Sequence, residues 1–364
     1  MNWKFWQSSG RKSKTREWID AIIFAVIAAT IIRTFFIEAF TIPTPSMEKT
    51  LMVGDFLFVS KINYGARTPM TPLSFPFVHQ ELPIIGGKSY SEAIKLPYYR
   101  LPGFSHVKNN DIVVFNYPME DDRPVDKQTH YIKRCICIPG DTIKIIDRVV
   151  YVNGKKNMQP KKSQYMYDIV TNGNDINERT LLKMDITDGY PSYNPGEYRY
   201  CLTQENANLL KSFANVKSLT VLNMPRNQYD ESIFPHDPSI PWNVDNYGPL
   251  YIPKKGAAIP LTPHNMSIYR RAIEKYEGNK LEERDGKIFI NDKEATTYTF
   301  KMDYYFMMGD NRHNSADSRF WGFVPEDHIV GKAVFIWMSW NTHGTFFDKI
   351  RWGRLFNIIH WNND

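Results

Sequence analysis

A serine that directly follows two prolines is the first group in the sequence that could do chemistry. Residues 41–53 read TIPTPSMEKTLMV, so Pro43 and Pro45 stand just before Ser46. A proline disfavours the helical conformation of the residue before it, and this segment is therefore predicted to be extended. An extended backbone leaves the hydroxyl and the amide of Ser46 free to face a cleft. A serine hydroxyl attacks an amide only when a base takes its proton, so Ser46 needs a partner.

The candidate partner is Lys133, which stands in the predicted strand HYIKRCICIPGD (130–141). None of the nine histidines follows metal-ligand spacing or stands in a lipase-like G-x-S-x-G sequence. A lysine acts as the base when burial lowers its pKa from about 10.4 toward ~7–8. Tyr131 and Ile132 would help to exclude water from the amine of Lys133. The alternative is an ordinary strand lysine that points to solvent.

Short strands with turn residues between them must position these two side chains. They are predicted at 54–61, 111–118, 130–141, 141–156 and 296–308, and the last is a single strand with one apolar face. Residues 157–285 differ in character and contain helix candidates near 203–213 and 262–277. The pattern predicts a mostly β, antiparallel catalytic domain that carries a mixed α/β insertion.

An apolar segment leads into this domain. Residues 18–40 read WIDAIIFAVIAATIIRTFFIEAF, and we predict a membrane-spanning helix at 19–40. Asp20 and Glu38 would lie at the two interfaces, and Arg33 would extend outward to water. The segment could also be a signal-peptide core or a buried helix, but no small-x-small cleavage pattern closes it.

Charge predicts the orientation of this helix in the plasma (inner) membrane. Five basic residues precede it, whereas the nearest charges after it are acidic. The positive-inside rule therefore places residues 1–18 in the cytoplasm and the domain after residue 40 outside it. The net charge of +6, from 45 basic and 39 acidic side chains, is too mild to indicate nucleic acid as a partner. An anionic membrane surface would be a sufficient partner.

A charged loop follows the last predicted strand. Residues 309–333 read GDNRHNSADSRFWGFVPEDHIVGKA, where small polar and charged residues stand next to bulky aromatics. This pattern indicates a buried, hydrogen-bonded loop. Asp310 and Asp317 could suggest a metal site or paired catalytic carboxylates, but the neighbouring Arg312 and Arg319 favour structural ion pairs. No metal site is predicted.

Four segments, taken in order after the apolar helix, resemble the conserved boxes of type I signal peptidases. These segments are IPTPSM, GDFLFVSK, YIKRCICIPGD and MGDNRHNSADSRFWGFVP, and the resemblance covers 19–62, 111–155 and 286–340. Members of that family are membrane-anchored serine proteases with a Ser–Lys dyad. The resemblance implies an endopeptidase that removes signal peptides from exported preproteins after small-x-small motifs. Its expected partners are those signal peptides and the phospholipid membrane, and no cofactor is expected.

The resemblance also implies roles for single residues. Ser46 would be the nucleophile and Lys133 the general base, while the hydroxyl of Thr44 would join the Ser46 amide in an oxyanion hole. Ser315 would hydrogen-bond the lysine amine. The loop that holds the dyad would be braced by Asp310, Asp317 and Arg319. Pockets for small substrate side chains would be lined by Phe40, Ile42, Leu51, Tyr131 and Ile132. The sequence departs from the family at Pro45, where glycine is common, and at His313, where aspartate is frequent.

The predicted organisation of the 364 residues follows from these segments. A cytoplasmic basic segment (1–18) leads into a membrane helix (19–40). A discontinuous catalytic domain (41–156 and 286–345) follows and carries an inserted domain (157–285). The chain ends in a C-terminal amphipathic segment (346–364). The last segment either packs on the domain or lies on the membrane surface as a helix. Cys135, Cys137 and Cys201 are predicted to be buried free thiols, although one bridge to Cys201 is conceivable.

Two other functions fit parts of the pattern. A self-cleaving regulator could use the same dyad and β fold, but an extracytoplasmic domain with no DNA-binding segment argues against it. A catalytically degenerate homologue that acts as a membrane-anchored scaffold would have lost Ser46 or Lys133, and both are present.

Overall fold

The structure is a computed structural model that describes residues 13–342, 344 and 348–359. The helices are α1 Lys14–Phe35, α2 Glu178–Lys183, α3 Gln204–Lys211, α4 Pro263–Arg271 and α5 Ser318–Trp321. The strands are β1 Ile37–Thr41, β2 Asp55–Ser60, β3 Ile112–Asn116, β4 His130–Cys137, β5 Thr142–Ile146, β6 Val149–Val152, β7 Lys155–Lys156, β8 Gln164–Thr171, β9 Gly189–Pro191, β10 Glu197–Thr203, β11 Val216–Val221, β12 Tyr247–Tyr251, β13 Ala258–Pro260, β14 Leu281–Arg284, β15 Lys287–Ile290, β16 Lys293–Glu294, β17 Thr297–Thr299, β18 Tyr304–Met308, β19 Val324–Pro325, β20 Ile329–Ser339 and β21 Asn357–Ile358.

Helix α1 is the apolar helix that the sequence predicts. It contains 22 residues with a mean hydropathy of 1.9 in its most apolar window, and none of that window is buried against the protein. Its length and composition are sufficient to cross a bilayer. The helix ends at Phe35, five residues before the predicted end at residue 40, and Ile37–Thr41 form strand β1 instead.

The ion pairs of Glu38, which was predicted to lie at the membrane interface, explain why helix α1 ends before residue 40. Glu38 is buried, and its carboxylate pairs with Arg33 at 2.7 Å and with Lys61 at 2.8 Å. Burial opposes ionisation of Glu38, but the two cations outweigh it and lower its pKa to about 2. Arg33 therefore pairs with protein, and Glu38 does not lie at a water interface as predicted. The strand forms because Ile37–Thr41 pair antiparallel with β2.

An eight-stranded antiparallel sheet holds most of the predicted catalytic segments. Its order is β1-β2-β20-β3-β4-β18-β19, and β21 pairs with β20. The strands predicted at 54–61, 111–118 and 130–141 correspond to β2, β3 and β4, each shorter by a few residues. The expectation of a mostly β, antiparallel fold after an apolar helix is confirmed.

The predicted insertion at 157–285 divides into two parts. Strands β8–β11 form a separate four-stranded sheet with its own apolar core, which includes residues of α2 and α3. The later part does not stand apart in this way, because β12 pairs with β5 and residues of α4 pack into the core of the catalytic strands. Only residues 164–221 thus have both a sheet and a core of their own.

The strand predicted at 296–308 is two strands in different sheets. Strand β17 pairs with β13, whereas β18 pairs with β4. The chain breaks between them where the backbone amides of Lys301 and Met302 donate to the carboxylate of Glu277. The alternating apolar side chains still share one core, since Phe300, Tyr304, Phe306 and Met308 are all buried there. The period of two thus identified the apolar face but not the break.

The C-terminal residues that the structure describes, 348–359, pack on the domain. They form a single helical turn at Trp352–Arg354 and strand β21, not an amphipathic helix. Arg354 binds the buried carboxylate of Asp55 at 2.5 Å, and Ile359 is buried. These contacts favour the packed element over the surface helix. The three cysteines are buried and free, as expected.

Candidate active site

Ser46 lies in a short turn between β1 and β2. The turn is a single 3₁₀ element, Pro45–Met47, and Thr44 before it has an extended backbone, as the two prolines predict. Met47 is completely buried and fixes the turn to the core. Ser46 itself is 8% exposed, so only a small part of it reaches the surface.

Lys133 meets Ser46 across the sheet. It stands in β4 opposite Val113 of β3. Its Nζ lies 2.7 Å from the Oγ of Ser46 and 3.0 Å from the carbonyl oxygen of Ile132. The ring of Tyr131 lies 5.3 Å from the same nitrogen. The two side chains that sequence reasoning paired are therefore within hydrogen-bonding distance.

The surroundings of Lys133 make its amine a stronger candidate for a base. The side chain is only 4% exposed, and burial lowers its pKa from 10.5 to about 8. The carboxylates of Asp317 and Asp310 oppose this effect, since negative charges favour the ammonium form. With a pKa near 8, about a tenth of the lysine is neutral at pH 7.

Two strand edges lie open beside the pair. Strand β1 is at one end of the sheet order. Strand β18 pairs with β4 only at Arg134–Cys137. Residues 130–133 of β4 pair with β3 on one side, and no strand of the described chain pairs with them on the other side. The ring of Phe40 on β1 lies 5.0 Å from that of His130 on β4, edge to face. The sheet thus curls until the two edges face each other near Ser46.

Two buried ion pairs hold the charged loop that follows β18. Arg134 binds Asp310 through two contacts of 2.8 and 2.6 Å, and the hydroxyl of Thr50 donates to the same carboxylate. Arg319 binds Asp317 through contacts of 2.9 and 2.8 Å. Burial opposes ionisation of both carboxyls, but their arginines hold each pKa below its ordinary value. Asp310 and Asp317 thus form structural ion pairs, as the neighbouring arginines predicted.

The loop reaches Ser46 through Gly309 and Asn311. A Cβ atom on Gly309 would lie 2.5 Å from the Ser46 carbonyl oxygen and 2.2 Å from the Oγ of Ser315, so only glycine fits there. Asn311 donates from its backbone to the Ser46 carbonyl at 3.1 Å and from its side chain to that of Pro45 at 3.2 Å. Sequence reasoning missed Asn311, because nothing local to it shows which backbone it contacts.

Ser315 does not make the hydrogen bond to Lys133 that the resemblance implied. Its hydroxyl instead donates to the carbonyl of Ala316 at 3.5 Å, and no hydrogen bond joins it to Lys133 in the described part of the chain. The lysine amine is already engaged by Ser46 and by the Ile132 carbonyl. Ser315 packs against Gly309, so it still lies beside the pair.

Thr44 is exposed and lies two residues before Ser46. Its hydroxyl caps no backbone amide of the following turn. In the residues that the structure describes, neither this hydroxyl nor the backbone amide of Ser46 donates a hydrogen bond. Both donors are therefore available to a carbonyl oxygen placed over Ser46.

The predicted pocket residues divide by burial. Leu51 is fully enclosed and Ile42 is 2% exposed, so both belong to the core beneath the site. Phe40 and Ile132 pack on that same core but keep accessible surface. Tyr131 belongs to another cluster, where its ring stacks on Tyr117 at 4.5 Å.

The inserted sheet also touches this loop, which no sequence pattern indicated. Asp188 accepts hydrogen bonds from the side chains of Asn311 at 2.7 Å and Asn314 at 2.9 Å. The backbone amide of Gln164 in β8 donates to the Asp310 carbonyl. His313 accepts from the Met166 amide through Nδ1 and contacts Asp245 through Nε2 at 2.8 Å. These contacts join the charged loop after β18 to residues 68 to 147 positions away along the chain.

Together these groups can support acyl transfer. The Ser46 hydroxyl lies within hydrogen-bonding distance of a buried amine with a lowered pKa, and the nearby Ser46 amide and Thr44 hydroxyl are free to donate. The described residues contain no cluster of three or more histidine, cysteine or acidic side chains that could bind a metal ion.

Comparisons with known proteins identify the family of the chain. The family model for signal peptidases of the peptidase S26 type matches residues 15–212 and 261–340. The signal peptidase I of Buchnera aphidicola subsp. Schizaphis graminum is 28% identical over 309 residues, which span 85% of this chain and 70% of that protein.

Two further relatives come from other organisms. The signal peptidase I of Aquifex aeolicus is 26% identical over 89% of this chain and 84% of its own length. That of Pseudomonas aeruginosa is 26% identical over 88% of this chain and 70% of its own. Since the family model covers well over half of the chain, the chain belongs to the peptidase S26 family of signal peptidases, and helix α1 fits its membrane anchor.

Proposed function

We propose that this protein is a membrane-anchored serine endopeptidase that cleaves signal peptides after small-x-small motifs, with Ser46 as nucleophile and Lys133 as general base. The observation that carries the proposal is the 2.7 Å contact between Lys133 Nζ and Ser46 Oγ. It occurs in a buried setting that lowers the pKa of the lysine.

The reaction follows from this geometry. Neutral Lys133 takes the proton of Ser46 as Oγ attacks the scissile carbonyl carbon, and the tetrahedral oxyanion accepts hydrogen bonds from the Ser46 amide and the Thr44 hydroxyl. When the C–N bond breaks, the lysinium returns its proton to the leaving amine. Lysine, neutral again, then activates a water that hydrolyses the ester on Ser46.

The two open strand edges supply the substrate site of this proposal. A signal peptide in extended form would lie between β1 and the 130–133 half of β4, bound by main-chain hydrogen bonds. In an extended strand, alternate side chains face the same way. The first and third residues before the cut would thus face the surface of Phe40 and Ile132, above the buried Ile42 and Leu51, where only small side chains fit.

The orientation of the anchor belongs to the same proposal. Basic residues precede α1, and acidic residues follow it. We therefore place the N-terminus in the cytoplasm and the β domain on the outer side of the plasma membrane. The site would then act on polypeptides as they emerge from the same bilayer.

A substrate series tests the specificity part of the proposal. Replacing the residue directly before the cut by phenylalanine in a purified preprotein should lower kcat/KM by about tenfold or more, because a bulky ring does not fit a pocket for small side chains. The same replacement one position earlier should have little effect, since that side chain faces the other way. Equal cleavage rates for all three preproteins would contradict the small-x-small specificity.

The pH dependence tests the base. Only neutral lysine accepts the serine proton, so kcat/KM should rise with pH and level off above the lowered pKa of about 8. Below that value it should fall about tenfold per pH unit. The measurement is a kcat/KM profile on one preprotein in detergent, with Lys287→Ala as a control that changes an exposed lysine in β15. A profile that is flat from acid to neutral pH would exclude a lysine base.

A further inference from the structure

A cavity of about 230 Å³ lies where the membrane helix meets the β domain. Thr30, Arg33 and Thr34 from the last turns of α1 form one wall. The remaining walls come from β1, from the start of β4 and from a long loop that follows β2. The cavity is therefore at the level where α1 leaves the lipid.

Cations outnumber carboxylates in this cavity. Its lining contains four cations, Arg33, Lys61, Arg67 and Lys127, and two carboxylates, Glu38 and Asp126. The two histidines that line it add no charge at neutral pH, because burial lowers the pKa of His79 and lowers that of His130 to about 3. The cavity thus has an excess of two positive charges.

The carboxylates do not reach all of the cations. Glu38 is bound by both Arg33 and Lys61. One oxygen of Asp126 accepts hydrogen bonds from the amides of Met70 and Thr71 and from the Thr71 hydroxyl.

Lys127 is the cation of the cavity that makes no direct ion pair in the described chain, although the charges of Asp126 and Glu38 act on it from a distance. It is 7% exposed, and in the described chain its Nζ has neither a hydrogen bond nor an ion pair. The ring of Tyr90 lies 5.4 Å from this nitrogen. The described chain gives this amine no hydrogen-bond acceptor, so an anion that enters the cavity can form a charge-assisted hydrogen bond with it.

The rim of the cavity is apolar and exposed. Phe75 and Phe77 line the cavity yet are 58% and 50% exposed, and Leu73, Ile84 and Ile85 of the same loop are exposed as well. The guanidinium of Arg33 lies 6.0 Å over the Phe77 ring, which brings this loop to the end of α1. Aromatic and aliphatic side chains in this position suit the boundary between lipid tails and headgroups.

We propose that this cavity binds the phosphate of an anionic phospholipid, whose acyl chains lie along α1 and the apolar rim. Lysine and arginine side chains are suited to phosphate, and the excess charge favours an anionic over a zwitterionic headgroup. The apolar rim distinguishes a lipid from free phosphate. The proposal depends on α1 lying in a membrane and is independent of the roles of Ser46 and Lys133.

Lipid binding to the full-length, delipidated protein in detergent tests the proposal by native mass spectrometry. Phosphatidylglycerol should be retained more strongly than phosphatidylcholine, and Lys127→Gln should weaken its binding about fivefold. Ser74 lines the same cavity, so Ser74→Asp should weaken binding by a similar factor, because its carboxylate would repel the phosphate. Asparagine has the same shape as aspartate but no charge, so Ser74→Asn should not weaken binding. Lys287→Gln, far from the helix, controls for loss of one positive charge.

Three outcomes would overturn the site. These are equal retention of the two lipids, a Lys127→Gln variant that binds like Lys287→Gln, and a Ser74→Asp variant that binds like Ser74→Asn. If an equal concentration of inorganic phosphate displaced phosphatidylglycerol, the cavity would be a site for free anions, and the proposal of a lipid site would be wrong. Circular dichroism checks folding, and if Lys127→Gln is unfolded, the Ser74 pair decides.

Discussion

Lys133→Ala and Ser46→Ala should each lower kcat by about 10⁴- to 10⁶-fold on a detergent-solubilised preprotein. The hydroxyl and the amine act as one unit across a 2.7 Å contact, so removing either one removes nucleophilic attack. For the same reason the double variant should be no slower than the single variants. Steady-state and single-turnover cleavage of the same preprotein measure all three.

Controls separate chemistry from folding. Lys133→Met keeps the volume of the buried stem without the amine and should be as inactive as Lys133→Ala. Ser218→Ala and Lys287→Ala make the same kinds of change at exposed strand positions, and both should cleave like the unchanged protein. Near-normal cleavage by a folded Lys133→Ala protein would refute the lysine base and leave Ser46 without a partner.

Thr44 should contribute the second largest effect. Its hydroxyl has no protein acceptor in the described chain, and Thr44 lies two residues before Ser46, whose backbone amide is also free. Removing one oxyanion donor typically lowers kcat by about 10²–10³-fold. We therefore expect Thr44→Ala to lose most of its kcat and Thr44→Ser to keep it.

The valine variant decides between hydrogen bonding and shape. Threonine and valine differ only by a hydroxyl in place of a methyl group, so Thr44→Val preserves the packing and removes the donor. It should resemble Thr44→Ala in kcat, with KM little changed, because the donor acts in the transition state. Wild-type kcat in Thr44→Val would mean that Thr44 only shapes the turn between Pro43 and Pro45.

Local patterns in the sequence determined the parts that depend on neighbours along the chain. The apolar run predicted α1, short runs bounded by glycine and proline predicted β2 and β3, and alternation predicted β4. Two prolines predicted the extended approach to Ser46. The charged loop after β18 was predicted to be buried, and it is, with Asp310 and Asp317 each bound to an arginine. Periodicity and proline stereochemistry act over a few residues, which is why the sequence alone could show these features.

The errors arose where a distant residue competes with the local pattern. Helix α1 stops at Phe35 because Glu38 pairs with Lys61 and the strand pairs with β2. The strand predicted at 296–308 breaks because Glu277 binds two of its amides. Hydrogen bonds and ion pairs of this kind outweigh a local preference of a few tenths of a kcal/mol per residue.

Only the tertiary structure decided the site itself. Ser46 and Lys133 are 87 residues apart, and their 2.7 Å contact exists because the sheet curls and brings the edges of β1 and β4 together. The same fold leaves Ser315 beside Gly309 rather than on the lysine amine. It brings Asn311 to the backbone of Ser46 and Asp188 to the side chain of Asn311. Contacts between distant segments depend on the closure and packing of the whole domain, and no spacing along the chain records them.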